Sequence, residues 1–374
     1  MAYLSLEEFK NIFDNRLTLF WQRTIDDYKK TDGLNSTVTS ILELVERLSH
    51  GGKRIRPYMA YLGYITRGGQ TIDRISNDII DTLISLELFH LFCLIHDDVI
   101  DDADIRHGFP TVHAAMFELS EPHRSYEKRR HISFSYAILA GDLVYSWART
   151  MLSQHVPQNT LSTILSLFDN MSQEVIIGQM IDVEMSTKLK VSFADIEQKN
   201  LLKTARYTFV HPLKIGAALY CTRSDGAEVG SSHGESISNR EHDTFFENIG
   251  TLLGSAFQVR DDYIDIVENK SGKPMLGDIE DGQHTIFTQY IFEHGTIHEK
   301  KLLDRFFGKK LGDSDKSEVI KLLHSSGALT YGLGIINEKV DEAIRCISQS
   351  SIHGEARNLF ISLAEAMRIR PRGE

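Results

Sequence analysis

The sequence predicts an all-α fold in one large helical domain spanning residues 1–374. Apolar residues recur at helical steps along most of the chain, and short polar connections separate the runs. Prolines number only 7, and alternating β-branched runs are few. With 41% hydrophobic and 25% charged residues, the chain can bury a large core.

The first helix is predicted from Leu4 to about Lys30, where Leu6, Phe9, Phe13, Leu17 and Phe20 recur at helical steps and Thr31-Asp32-Gly33 ends the run. Packing is its expected role. A second helix is expected from Ser36 to Leu48. Gly51-Gly52-Lys53-Arg54-Ile55-Arg56-Pro57 follows. Its glycines permit close backbone approach, and Lys53 and Arg56, three apart, can point together at an anion. A basic surface loop is the plainer reading of that stretch by itself.

The almost wholly apolar stretch from Leu83 then runs into His96-Asp97-Asp98-Val99-Ile100-Asp101. At helical period Asp97 and Asp101 stand one above the other with Asp98 beside them. Carboxylates at the C-terminal end of a buried helix oppose its dipole and repel one another, so a cation is expected there. A hard dication with oxygen ligands suits the stagger, and a solvated acidic helix end is the alternative for this stretch alone. A second apolar run, Leu252 to Arg260, delivers Asp261-Asp262-Tyr263-Ile264-Asp265 with the same D-D-x-x-D spacing. Two such clusters can face each other over a cavity, hold magnesium ions and, through them, a diphosphate.

These paired clusters resemble the trans-prenyl diphosphate synthases, the family of farnesyl and geranylgeranyl diphosphate synthases, and further motifs between Ser49 and Thr285 follow in family order. The resemblance implies a helical bundle of the isoprenoid synthase type with a central apolar cavity. It also implies two or three Mg²⁺ ions bound with diphosphate by Asp97, Asp98, Asp101, Asp261, Asp262 and Asp265. Lys53, Arg56 and His90 would hold isopentenyl diphosphate, with Glu87 as a structural partner of His90. Phe92 and Cys93, about one turn before Asp97, match positions that limit product length, and the large Phe92 and Phe89 beside the small Cys93 point to C15 or C20 products. Arg106 matches the family's first arginine after the aspartates, and His107 stands where the second is usual. Lys203, Thr204 and Tyr207 match a K-T-x-x-Y-T-F segment, Gln258 a pair beside the reacting carbons, and Lys273 a flexible segment that closes over the allylic diphosphate. Gln283 replaces a customary lysine. Asp182, one helical step from Gln179, is expected to border the metals. The terminal arginines Arg368, Arg370 and Arg372 could fold over the site and make up for the charge lost at His107.

The implied activity is Mg²⁺-dependent, head-to-tail condensation of an allylic diphosphate with isopentenyl diphosphate. A class I terpene synthase, which ionises a prenyl diphosphate and cyclises or hydrolyses it, is the alternative favoured by His107 and Gln283. A non-catalytic subunit of a heteromeric synthase is a third reading. Formal charge of -11 disfavours non-specific nucleic-acid binding. Cys93, Cys221 and Cys346 have no metal-type spacing and read as reduced thiols. No apolar run approaches a membrane span and no signal-peptide core is visible, so a cytoplasmic protein is expected, homodimeric by resemblance. The polar stretches Glu118–Arg130 and 222–243 read as a solvated connection and a mobile loop.

Overall fold

The computed structural model describes residues 3–30, 35–69, 76–188, 190–220, 239–267, 275–352 and 354–369. It is helical throughout, apart from one small hairpin among the described residues. The described chain forms two compact units. One takes the chain to Tyr61 and then from Ser76 to Ile164; the other takes Leu62–Gly69, Leu165–Val267 and Met275 onward.

In the first unit, α1 (Leu6–Lys29) starts at a capping box in which Ser5 and Glu8 satisfy each other's backbone N–H groups. Its buried stripe is Phe9, Phe13, Leu17 and Trp21, so the face drifts past Phe20 to Trp21, which meets Trp147 edge-on at 5.6 Å. Helix α2 (Ser36–Ser49) follows its Asn35 cap. Helix α3 (Ile55–Thr66) begins in the first unit and ends in the second.

Helix α4 (Asn77–Ile100) is the centre of the first unit and packs along α6 (Tyr126–His155), with α5 (Val112–Glu118) between them in sequence. At 24 residues α4 is long and apolar enough to cross a membrane, contrary to the expectation that no run approaches a span. Its most apolar window is 72% buried within the protein, so that apolarity serves the core. Helix α6 starts at Tyr126, so the expected connection 118–130 is shorter than its polarity suggests: the Ser125 cap draws Tyr126 to Arg130 into the helix.

The second unit holds the later part of α7 (Gln158–Ser186), α8 (Phe193–Asn200), a π-helix (Leu201–Val210) and α9 (His211–Tyr220). Next come α10 (Asn239–Val267), the single turn α11 (Gly277–Glu280), α12 (Ile286–His294), α13 (Ile297–Phe306), α14 (Asp313–Ser325), α15 (Ala328–Gln349) and α16 (Gly354–Glu365). Helix α10 is its spine, packed on the π-helix and on α15. It begins at Asn239, inside the segment expected to be a loop; residues 222–238 lie outside the described residues, as do Cys221, Lys273, Arg370 and Arg372.

Candidate active site

The first unit gathers cationic side chains from the Gly51–Pro57 segment and the hairpin after α4 around His90 in the middle of α4. Arg54 anchors the loop. Its φ is 55°, and its side chain, 1% exposed, donates from Nε to Asp14 of α1 at 2.6 Å and from Nη1 to Glu87 of α4 at 2.5 Å. Glu87, expected to support His90, therefore serves Arg54. With Arg54 turned inward, Lys53 is exposed and Arg56 half-buried on either side of it. One turn along α4, His90 is half-buried. Burial, and then the charges of Arg56, Arg106, His107 and Arg54, push its imidazole well below the normal range. A neutral ring among those cations can still donate one N–H to an anion.

The first aspartate cluster ends α4. Asp97 is half-buried, Asp101 caps the helix and is exposed, and the Asp101 N–H donates to the Asp97 carbonyl at 2.8 Å. Asp98 points the other way: it is 2% exposed and accepts two bonds from Arg106, one from Nε at 2.8 Å and one from Nη2. Arg106 lies on β1 (Ile105–Arg106), paired antiparallel with β2 (Phe109–Pro110). The two-residue turn is His107-Gly108, with φ of 52° and 83°, the pattern of a tight hairpin with both central residues left-handed. His107 is thus an exposed turn residue beside that cluster. Below the aspartates, Phe92 packs on Tyr145 of α6 at 5.2 Å and on Phe89 at 5.4 Å; Phe89 is fully buried and Cys93 partly so.

The second unit holds the π-helix and the end of α10. The His211 N–H donates to the Arg206 carbonyl, five residues back, as a π-turn requires. The wide turn is held by close backbone approach at two glycines. A Cβ on Gly178 of α7 would lie 2.6 Å from the Lys203 nitrogen, and one on Gly254 of α10 would lie 2.3 Å from the Ala205 Cα. A charged belt completes the grip: Arg206 donates to Glu174 at 2.7 Å, His211 shares that carboxylate at 2.7 Å, and Lys214 donates to Glu247 at 2.6 Å.

This arrangement aligns a polar chain. The Thr204 hydroxyl donates to Gln258 Oε1 at 2.5 Å, and Gln258 Nε2 donates to Asp262 Oδ1 at 2.7 Å. Asp262 is 6% exposed, whereas Asp261 and Asp265 are half-buried; Tyr207 is buried nearby in the π-helix. Lys203 donates to Asp182 at 2.6 Å. Burial, with Asp278 and Asp261, drives the Asp262 carboxyl well above its usual range. Such crowding of oxygen donors fits a hard dication, which would relieve the repulsion.

Several site features escaped the sequence reading: Arg54, Asp14, Lys199 and the π-helix. Lys199 stands four residues before Lys203, a spacing that signals a shared face. Arg368 is committed elsewhere, to Glu365 at 2.8 Å and to Asp341 at 2.5 Å.

The fold and these clusters define a class, the helical prenyl synthases. A geranylgeranyl pyrophosphate synthase of Corynebacterium glutamicum, complexed with isoprenyl diphosphate and magnesium, superposes with a TM-score of 0.85 at 25% identity, over 97% of this chain and 99% of that one. A geranylgeranyl diphosphate synthase of Sulfolobus acidocaldarius is 28% identical over 316 residues, 82% of this chain and 84% of the relative. A geranylfarnesyl diphosphate synthase of Aeropyrum pernix is 25% identical over 317 residues, 83% of this chain and 87% of the relative. The profile of the polyprenyl synthetase family matches residues 38–323, well over half of the chain, and the chain belongs to that family. It is an enzyme, a prenyltransferase.

Proposed function

We propose that this prenyltransferase joins an allylic diphosphate to isopentenyl diphosphate, head to tail, and releases a C15–C20 trans-prenyl diphosphate. The observation that carries this reading is the cationic cluster around His90, to which Arg54, Arg56, Arg106 and His107 all contribute charge. A cyclising enzyme handles one diphosphate and has no use for a second anion site.

Asp97, Asp101, Asp261 and Asp265 would hold the magnesium, two or three ions, while Asp98 and Asp262 orient Arg106 and Gln258. The bound metal supplies neutralisation of the departing diphosphate. Lys203 and Arg106, with Lys273, bind the allylic diphosphate and stabilise the charge that develops as its C–O bond breaks. Thr204, Tyr207 and Gln258 present oxygen atoms toward the resulting allylic cation. Lys53, Arg56 and His90 orient isopentenyl diphosphate so that its double bond attacks that cation, and the released diphosphate takes up the proton. Phe89, Phe92 and Cys93 keep water away and limit the length of the product. A homodimer and a cytoplasmic location accompany this reading; the exposed apolar residues Ile176, Ile177, Met180 and Val183 of α7 support the former.

The test is incubation with Mg²⁺ and geranyl or farnesyl diphosphate, with and without isopentenyl diphosphate, with products identified by mass and the particle size read by light scattering. Elongated diphosphates are expected, and longer ones from Phe92→Ala. Hydrocarbons or alcohols formed without isopentenyl diphosphate would replace this reading with cyclisation or hydrolysis.

A further inference from the structure

Asp182 carries two lysines. Lys203 of the π-helix donates to its Oδ2 at 2.6 Å, and Lys199 of α8 stands 3.1 Å from its Oδ1. The two cations differ in how they are held. The Lys199 side chain is 10% exposed and donates to the His284 carbonyl at 3.2 Å, so it is fixed from both sides. Lys203 is 26% exposed. The carboxylate itself is 6% exposed, and although burial raises its pKa, Lys199 first and Lys203 second outweigh that and hold it below the usual carboxylate range.

A buried carboxylate stripped of its only cation is strongly disfavoured, so a lysine that is its sole partner cannot readily turn to another anion. With two lysines on Asp182, one can leave and a neutral pair remains. The geometry assigns Lys199 as a positioning residue: it stays on Asp182 as a fixed counter-ion, which releases Lys203 to the diphosphate of the allylic substrate. This rests on the reading of Lys203 as a diphosphate ligand. Close approach of α7 at Gly178 keeps Asp182, one turn further on, within reach of both lysines. The fixed charge of Lys199 also acts on Asp262, so its removal is felt at the second aspartate cluster as well.

Calorimetric titration of the full chain with inorganic diphosphate in the presence of Mg²⁺ tests the assignment. Lys199→Met weakens binding by about tenfold, within the range for coupled neighbours, and Lys199→Arg stays within about threefold of the parent. In an Asp182→Asn background, where the carboxylate at 182 no longer competes for Lys203, the same Lys199→Met change costs less than about twofold. Should Lys199→Met not fold, Lys199→Gln carries the same comparison. Parental affinity in Lys199→Met, or an equal loss with Asp and with Asn at 182, would overturn the assignment, because a merely structural lysine acts the same in both backgrounds. Failure of the parent chain to bind diphosphate would overturn it together with the functional reading. A parent that binds with this coupling yet elongates nothing would sink only the elongation reading.

Discussion

Arg54 sits in the left-handed backbone region, which disfavours an L-residue by about 1–2 kcal/mol. Its guanidinium nevertheless stays there, because Asp14 and Glu87 neutralise it out of water. Arg54→Met leaves both carboxylates without that cation and should lower the unfolding free energy by about 3 kcal/mol, as for other buried pairs deprived of one partner. Chemical denaturation measures it, and adding Glu87→Gln should recover part of the loss; a loss below about 1 kcal/mol would mean the contacts contribute little. None of this was legible in G-G-K-R-I-R-P. The motif announces three cations, but which one turns inward depends on a backbone angle and on an acid 40 positions earlier on a helix that reads as mere packing. Lys53 and Arg56 stood out because a spacing of three brings them together whatever the rest of the chain does, whereas His90, far along the chain, was singled out only by resemblance.

The π-helix is the element that organises the second unit, and periodicity cannot reveal it, since a ten-residue stretch of mixed polarity fits a 3.6-residue turn equally well. What betrays it is the pair of glycines opposite. Gly254→Ala places a methyl against backbone, which no rotamer change relieves, so α10 and the π-helix must part. The chain from Thr204 through Gln258 to Asp262 crosses that same contact. The expected result is a destabilisation of about 1–3 kcal/mol in thermal denaturation with a larger proportional loss of turnover, tenfold or more. A variant that loses stability alone would show that the alignment of Thr204 is irrelevant to catalysis.

At the scale of the described molecule, the imidazoles shielded from water share one bias. Burial leads the causes that push His90, His113, His211, His242 and His284 below the ordinary imidazole value of 6.5. The native state therefore binds fewer protons than the unfolded chain, so stability is full above pH 6.5 and falls as the pH drops toward the native values. The lowered carboxyls of Glu174 and Asp182 continue the trend at still lower pH. Melting temperature should decline by several degrees between about pH 7 and pH 5, and less so in His90→Gln; a flat profile would contradict the bias. The all-α class was legible at this scale from helical periodicity. The burial of α4 was expected as well; its span-like length was not, although length and apolarity describe a membrane helix and a core helix alike.

The inward-turned middle acid of each D-D-x-x-D has a bearing on how mutants of this enzyme are interpreted. Neutralising Asp98 would unseat an arginine, and neutralising Asp262 would free a glutamine, so inactivity in either variant is no measure of metal affinity. On the proposed reading, variants of the flanking acids report on magnesium, while each central acid reports on the side chain it holds in place.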